Sequence, residues 1–146
     1  SNIGYHTMKK YNNVNAMIIN ETELRHEMRD KNEDIHKLSK KLLKLINISD
    51  LVVTRGSNGA ILTSKNFSKN FSSPAFANKL IDKVGAGDTM LALISPLLKV
   101  GTPKELALLI GSFAGAFSVE TMGNSKFLDK NKIIRSLEFS LKWKKL

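Results

Sequence analysis

The sequence predicts an α/β domain built from packed layers. Short apolar runs, each typical of a buried strand, alternate with stretches in which apolar residues recur every three or four positions, as they do on one face of a helix. Glycines separate several of these runs and indicate tight turns. The chain has 146 residues, of which 42% are apolar and 25% charged, so it is long enough for one domain with its own hydrophobic core.

The first part of the chain alternates strand and helix. Ala16 to Ile19 is typical of a buried strand, and Glu21 to Arg29 of a short helix. Asn32 stands where it would cap a second helix. The apolar positions of that second helix are spaced to share one face: Ile35, Leu38, Leu42, Leu45 and Ile46.

A hairpin follows. Leu51 to Thr54 and Ala60 to Thr63 are typical of strands, and Gly56 and Gly59 bracket a tight turn between them. The polar segment from Lys65 to Ser73 is predicted to be a loop or an edge hairpin, and it leads into an extended stretch.

Three helices complete the chain. The first is expected to begin near Gly87 and to run to about Val100, with a kink at Pro96, because proline has no amide to bond the preceding turn. The start of the second helix is predicted by Thr102 as N-cap, Pro103 at the first helical position and Glu105 closing a capping box with Thr102.

The second of these helices is expected to end near Gly123, and the last to run from about Lys130 to Trp143. The second helix has an apolar face made of five residues: Leu106, Leu109, Ile110, Phe113 and Phe117.

Composition excludes several classes of function. The chain has no cysteine, which excludes disulfides, thiolate metal sites and cysteine nucleophiles. The most apolar stretch, Leu106 to Val119, is too short to span a bilayer, and no membrane partner is expected. The net charge of +10 comes from lysines scattered along the chain, with no arginine-rich block, so no nucleic acid partner is expected.

The segment from Val84 to Asp88 has the pattern of a site for an anion. Gly85 and Gly87 let the backbone turn sharply and present bare amides, and the helix that follows directs its positive end to the same place. A carboxylate at Asp88 repels a bound phosphate but could take a proton from a hydroxyl that attacks it. The alternative is that the glycines form a plain turn and Asp88 caps the helix.

Four segments, in order, carry a resemblance to the PfkB/ribokinase family of carbohydrate kinases. Asp82 to Asp88 (DKVGAGD) resembles the family's D-x-x-G-A-G-D signature. Asn20 to Glu23 (NETE) is similar to its N-x-x-E motif, and Thr54 to Ala60 (TRGSNGA) to its T-x-G-x-x-G nucleotide turn. Ala114 to Val119, followed by Gly123, resembles the helix beside the adenine. The resemblance implies a Rossmann-like, three-layer, ribokinase-like α/β fold with a mostly parallel sheet, of which residues 1–146 form the C-terminal, nucleotide-binding part.

The resemblance also implies roles for single residues. Asp88 would be the catalytic base, and Gly85, Ala86 and Gly87 would offer amides to the transferred phosphoryl group. Asn20 and Glu23 would organise the water shell of Mg²⁺, which bridges the ATP phosphates rather than sitting in a protein cage.

Nucleotide and potassium contacts follow from the same resemblance. Thr54 would donate a hydrogen bond to a phosphate. The glycines of the turn, Gly56 and Gly59, would let the backbone approach the nucleotide. Ser112 and Gly115 would lie on the adenine side, with Ser112 standing where relatives often have Asn. Backbone carbonyls at Asp82 and Val84 match the K⁺ site of many members, although Val84 stands where the family often has Thr.

The implied reaction transfers the γ-phosphoryl of ATP to a sugar or sugar phosphate in the cytoplasm. The family's N-terminal sugar-binding half and its lid have no counterpart in these residues, so the isolated chain is expected to turn over little. Finer similarities, such as Pro74 to Ala77, resemble the heptose-phosphate kinases, which are often fused to a nucleotidyltransferase domain; a homodimer is a further expectation. A nucleoside or other small-alcohol kinase, a non-catalytic ATP- or ADP-binding module and a basic nucleic-acid-binding domain remain as alternatives.

Overall fold

The structure is a computed structural model and describes residues 7–11, 13–122 and 127–143. Two short 3-10 turns, Met8–Lys10 and Gly56–Asn58, accompany the longer elements. These elements are, in chain order, β1 (Ala16–Asn20), α1 (Glu21–Met28), α2 (Ile35–Ile46), β2 (Asp50–Thr54), β3 (Ala60–Ser64), β4 (Phe71–Ser73), α3 (Ala86–Lys99), α4 (Lys104–Val119) and α5 (Lys130–Trp143).

The four described strands form one sheet in the order β1-β2-β3-β4. β1 and β2 are parallel, with Asn20 opposite Thr54, whereas β2–β3 and β3–β4 are antiparallel. The prediction of a mostly parallel sheet is therefore wrong for the described residues. The reason is the tight turn at Gly56–Asn58, because a turn this short can join only antiparallel neighbours.

Helices cover both faces of the sheet. Alternate residues of β2 point to opposite sides: Leu51 and Val53 belong to an apolar cluster with α1 and α2, while Val52 packs with Met90 and Ile94 of α3. β2 is buried on both faces, which explains its continuous apolar run. The predicted three-layer α/β fold is confirmed.

The start of α2 differs from the prediction. Asp34, not Asn32, is its N-cap, and the Asp34 Oδ1 accepts hydrogen bonds from the amides of His36 and Lys37 at 3.0 and 3.1 Å. The Asn32 amide instead donates to the Asp30 carboxylate at 3.0 Å and closes the turn between the helices.

The apolar face of α2 is also shifted. Leu45 is 53% exposed, and Leu43 is buried in its place, because the buried arc is centred on Leu42 and Ile46. The other predicted positions on this face, Ile35 and Leu38, are buried as expected.

The junction between α3 and α4 corrects a predicted cap. Gly101 has a φ of +80°, its amide donates to Leu98, and the Thr102 amide donates to Leu97, which together close the end of α3. The backbone of Thr102 thus belongs to the end of α3. The N-cap of α4 is Pro103, with no side-chain hydrogen bond, so the predicted capping box at Thr102 is wrong.

The contact between α3 and α4 depends on small residues. Gly111 of α4 lies against Ile94 of α3, and a Cβ at Gly111 would stand 2.3 Å from the Ile94 Cδ1 atom. Phe113 is buried as predicted, but Leu106, Leu109, Ile110 and Phe117 are only half-buried, since the buried side of α4 is formed mainly by smaller residues. Within the described ranges, no helix has the length and apolar character needed to cross a membrane.

Candidate active site

The segments singled out in the sequence lie toward one edge of the sheet. The C-terminal part of α3, from Ser95 to Lys99, lines a cleft together with residues at the beginnings of β1 and β2. Helix α3 therefore runs antiparallel to these two strands. Its first turn, with Asp88, lies toward the strand ends where Asn20 and Thr54 face each other. This carboxyl-terminal edge is where α/β proteins bind their ligands.

The glycine-rich bend before α3 turns at Gly85, as predicted, whereas Gly87, which was expected to share the turn, lies inside the helix. The Asp82 Oδ1 accepts a hydrogen bond from the Val84 amide at 2.9 Å, and Gly85 then adopts a left-handed φ of +84°. Helix α3 begins at Ala86, one residue before the prediction. A Cβ at Gly87 would meet no atom of the described residues within 4 Å, so there is open space beside this residue of the first turn. Amides and helix dipole together favour an anion here.

Asp88 is the third residue of α3, and its side chain is exposed. The N-cap is Gly85, which makes no side-chain cap bond, so the alternative in which Asp88 caps the helix is wrong. The carboxylate is exposed in the first turn of α3, directly after the bend, and its role as a base stays a prediction.

The bend is anchored to the end of α4. The amides of Ile81 and Asp82 donate to the Val119 carbonyl at 2.8 and 3.1 Å. One turn into α3, the Thr89 hydroxyl lies 3.3 Å from the Ser118 hydroxyl. The sequence interpretation did not find this anchor, because backbone carbonyls leave no mark in a sequence.

The N-x-x-E segment forms a capping box at the start of α1. The Asn20 Oδ1 accepts from the Glu23 amide at 2.8 Å, and the Glu23 Oε2 accepts from the Asn20 amide at 3.0 Å. This reciprocal pair fixes the two side chains at the end of β1 and explains the three-residue spacing without any ligand. Their oxygens are of the type that Mg²⁺ prefers, and their role in its water shell stays a prediction.

The two glycines of the hairpin turn have different surroundings. A Cβ at Gly59, whose φ is +77°, would lie 2.0 Å from the Ser73 carbonyl oxygen, so this glycine is required by the packing of the sheet. Gly56 has a φ of +57°, and a Cβ there would meet no atom of the described part of the chain within 4 Å, so there is open space beside it. The Thr54 hydroxyl points back to the Ile19 carbonyl at 3.4 Å.

An ion-pair bridge links these two motifs and was not found in the sequence. The Glu21 Oε1 accepts from the Arg25 Nε and Nη2 at 2.9 and 2.7 Å, and its Oε2 accepts from the Arg55 Nε at 3.0 Å. The spacing of Glu21 and Arg25 is visible as an i, i+4 pair. Arg55 is 34 residues from Glu21 in the chain, so no local pattern reveals it.

The bridge changes the titration of its carboxylate. Burial raises the pKa of Glu21, but the hydrogen bonds and positive charges of Arg25 and Arg55 more than offset this and hold the pKa below its ordinary value. Glu21 is therefore ionised at neutral pH.

The predicted adenine-side residues lie inside the helix contact. The Ser112 hydroxyl is buried and has no hydrogen-bond partner among the described residues, and a Cβ at Gly115 would come within 2.9 Å of the Met90 Cγ atom. Gly115 thus allows α4 to approach α3. Nucleotide contact by Ser112 and Gly115 stays a prediction, and Gly123 lies outside the described residues.

Among the described residues, no group of three or more histidine or acidic side chains is placed to bind a metal ion. The two positions predicted for K⁺ lie on the bend, Asp82 half-buried and Val84 74% exposed. Carbonyl ligands at these positions stay a prediction.

The cleft at the far end of α3 is a separate feature. Its volume is about 490 Å³, and Asn15, Ser49, Asp50 and Lys99 are among its polar lining residues. It lies about 10 Å or more from Asp88 along the helix axis, at 1.5 Å per residue. The predicted site is instead the open edge at the other end of α3.

Known proteins resemble the chain over most of its length. The family model described as pfkB family carbohydrate kinase matches residues 6–131. The bifunctional protein HldE of Histophilus somni is 31% identical over 93 residues, which cover 64% of this chain and 19% of that protein. The chain thus spans about a fifth of the length of such curated relatives.

Solved structures share the fold. The ribokinase of Thermotoga maritima has a TM-score of 0.71 and 25% identity, covering 85% of this chain and 42% of that one. The nucleoside kinase of Methanocaldococcus jannaschii has a TM-score of 0.66 and 28% identity, covering 85% of this chain and 40% of that one. The chain therefore corresponds to less than half of each of these two structures.

Proposed function

Because the chain belongs to the pfkB family of carbohydrate kinases, we propose that it binds ATP at the carboxyl-terminal edge of its sheet and provides the catalytic base for phosphoryl transfer to a sugar or sugar-phosphate hydroxyl. The single observation that carries the proposal is the arrangement of the α3 bend. Gly85 turns the backbone into the first turn of α3, the position of a Cβ at Gly87 is clear of the other described residues, and the exposed carboxylate of Asp88 follows within the same turn.

Phosphoryl transfer to a hydroxyl needs a group that accepts the proton and groups that stabilise the negative charge on the phosphoryl oxygens. The Asp88 carboxylate takes the proton from the substrate hydroxyl while the oxygen of that hydroxyl forms a bond to the γ-phosphorus of ATP. The bond between that phosphorus and the β–γ bridging oxygen breaks, and ADP leaves with the electron pair. The amides at Gly85, Ala86 and Gly87 and the positive end of α3 stabilise the charge on the phosphoryl oxygens.

Cations would assist at two places. Mg²⁺ bound with ATP would neutralise phosphate charge, and the capping box of Asn20 and Glu23 holds two oxygen-bearing side chains at the strand edge where its waters would lie. K⁺ would be held by the carbonyls of Asp82 and Val84 on the bend. Thr54, Gly56 and Gly59 would line the nucleotide, with Ser112 and Gly115 on the adenine side.

The substrate and the complete protein are part of the proposal. The chain spans 42% of the Thermotoga ribokinase, and we assign the sugar-binding half to a segment outside these residues. Similarity to a protein named as bifunctional, together with the resemblance to heptose-phosphate kinases, supports a sugar phosphate as acceptor and a nucleotidyltransferase domain as a fused partner.

The test is Asp88→Asn in a protein that joins this chain to its sugar-binding half. ATP affinity, measured by calorimetry, should stay within about twofold, whereas turnover should fall by about 10²- to 10⁴-fold because the general base is lost. Asp129→Asn is the matched control, since Asp129 is likewise an exposed aspartate at the start of a helix, where its Oδ1 accepts from the Asn131 amide at 2.8 Å, and the proposal gives it no part in the reaction. Unchanged turnover in Asp88→Asn would remove Asp88 from this role.

A nucleoside kinase is the second candidate. The 28% identity to the Methanocaldococcus nucleoside kinase favours it, since the nucleotide side of the fold serves both substrate classes. Phosphate transfer to nucleosides but not to sugars or sugar phosphates, in the same Asp88-dependent assay, would select this alternative.

A further inference from the structure

The Glu21 carboxylate joins two parts of the chain that the proposed function uses separately. It is the first residue of α1, directly after Asn20, and it accepts hydrogen bonds from arginines on both sides. Arg55 begins the hairpin turn that contains Gly56 and Gly59. The side chains of Glu21, Arg25 and Arg55 are each about one quarter exposed, so the bridge is partly shielded from solvent.

Each end of the bridge is itself fixed. The Arg55 amide donates to the Gly59 carbonyl at 2.8 Å, and the Asn58 amide donates back to the Arg55 carbonyl at 3.0 Å, so the guanidinium is attached to a closed turn. On the other side, the Arg25 Nη1 donates to the carbonyls of Lys31 and Glu33 at 2.9 and 3.0 Å. A single carboxylate therefore ties the hairpin turn to α1 and to the loop after it.

We propose that Glu21 is a positioning residue, which holds the hairpin turn of Gly56–Asn58 in the orientation that binds ATP beside the capping box of Asn20 and Glu23. The inference rests on the proposed function, because it assumes that the nucleotide lies between these two motifs. Glu21 makes no contact with the nucleotide in this account and acts through Arg55.

A purely electrostatic role and a positioning role of Glu21 predict opposite changes in ATP affinity when Glu21 is neutralised. A carboxylate near a bound polyphosphate repels it, so neutralising Glu21 should tighten ATP binding if only electrostatics mattered. If Glu21 orients the turn, the same substitution should weaken binding, because Arg55 loses its carboxylate partner and the turn loses its tie to α1. The sign of the change in affinity separates the two roles.

The experiment measures Mg·ATP affinity of the chain by calorimetry, with folding checked by circular dichroism. Glu21→Gln should weaken ATP about 5- to 10-fold, in the range of coupling between residues that share one network. Arg55→Gln should weaken it similarly, the double variant should lose little more, and Arg55→Lys should recover part of the loss. Glu33→Gln is the matched control: its carboxylate also pairs with two cations, Lys37 and Lys41 of α2, and the substitution leaves in place the Glu33 backbone carbonyl that accepts from Arg25.

The outcomes are distinct. Weaker binding in Glu21→Gln with an unchanged Glu33→Gln supports the positioning role. Equal or tighter binding in Glu21→Gln, with wild-type affinity intact, overturns it and leaves the proposed function standing. Failure of the wild-type chain to bind Mg·ATP overturns the proposed function and this inference with it. If Glu21→Gln does not fold, Arg55→Gln and Arg55→Lys decide by the same criterion.

Discussion

The two glycines of the hairpin turn should respond very differently to alanine. Both have a positive φ, +57° at Gly56 and +77° at Gly59, so each substitution strains the backbone. Only Gly59 also meets a collision, since its Cβ would stand 2.0 Å from the Ser73 carbonyl oxygen and 2.8 Å from the Pro74 carbonyl carbon. These neighbours are backbone atoms of the segment that includes the end of β4, and they cannot rotate away as a side chain would.

The magnitudes follow from these surroundings. Gly56→Ala should lower the free energy of unfolding by about 1 kcal/mol, the cost of placing an L-residue in the left-handed region. Gly59→Ala should lower it by about 3–5 kcal/mol, because backbone strain of about 1–3 kcal/mol adds to overpacking of similar size. A loss of this size is a large fraction of a domain's stability.

Urea unfolding of the wild type and both variants, followed by circular dichroism, measures the difference directly. The midpoint of Gly59→Ala should fall far below that of Gly56→Ala. Two variants of equal stability, or a less stable Gly56→Ala, would refute the assignment of Gly59 to sheet packing.

Two further predictions concern stability and its link to function. Gly87→Ala should raise the free energy of unfolding by about 0.5 kcal/mol, since alanine favours the helix and its Cβ would meet no atom of the described residues within 4 Å. The same substitution should weaken Mg·ATP binding, because the new methyl group would fill space that the phosphate is proposed to use. Urea unfolding measures the first effect and calorimetry the second, and a variant that binds ATP as tightly as wild type would contradict the second. The pKa of Glu21 is lowered by its two arginine partners, so its stabilising contribution is complete above the pKa of the unfolded chain and is lost as the pH falls through the lower pKa of the folded state. Thermal melts between pH 7 and 3 should therefore show a smaller acid-induced loss of stability in Glu21→Gln than in wild type, and equal losses would count against the bridge.

Most helices and strands could be predicted from the sequence, because the residues that each one buries form a recognisable hydrophobic pattern within that element. The doubly buried run of β2 and the periodic face of α2 both identify themselves by hydrophobicity. The last helix, Lys130–Trp143, has the predicted ends. Where a residue serves two elements, prediction failed: Thr102 looks like a helix cap, but its amide completes the end of α3.

The sheet was harder to predict than its strands. Strand direction depends on what each connection allows. The predicted hairpin at Gly56–Asn58 makes β2 and β3 antiparallel, and β4 is antiparallel to β3 as well, so among the described strands the expectation of a mostly parallel sheet holds only for β1 and β2. Likewise, the buried side of α4 is set by close contact with α3 through Gly111 and Gly115, which a pattern of large apolar residues cannot reveal.

In the candidate site too, the parts formed by contiguous residues could be predicted from the sequence, and the contacts between distant residues could not. The α3 bend is a contiguous segment, so Gly85 and Asp88 could be identified from sequence together with the start of the helix. The bridge of Glu21 and Arg55 joins residues 34 apart, and it becomes visible only when β1 and β2 lie side by side.

The most direct test of ATP binding at this edge is an NMR titration of the ¹⁵N-labelled chain with Mg·ATP. Amide signals should move at 85–88, 20–23 and 55–59, which lie at one end of α3 and of the parallel strands. Signals from the cleft at the other end, at 95–99, 15–16 and 49–50, should stay in place. Shifts confined to that cleft, with the bend unaffected, would contradict the account.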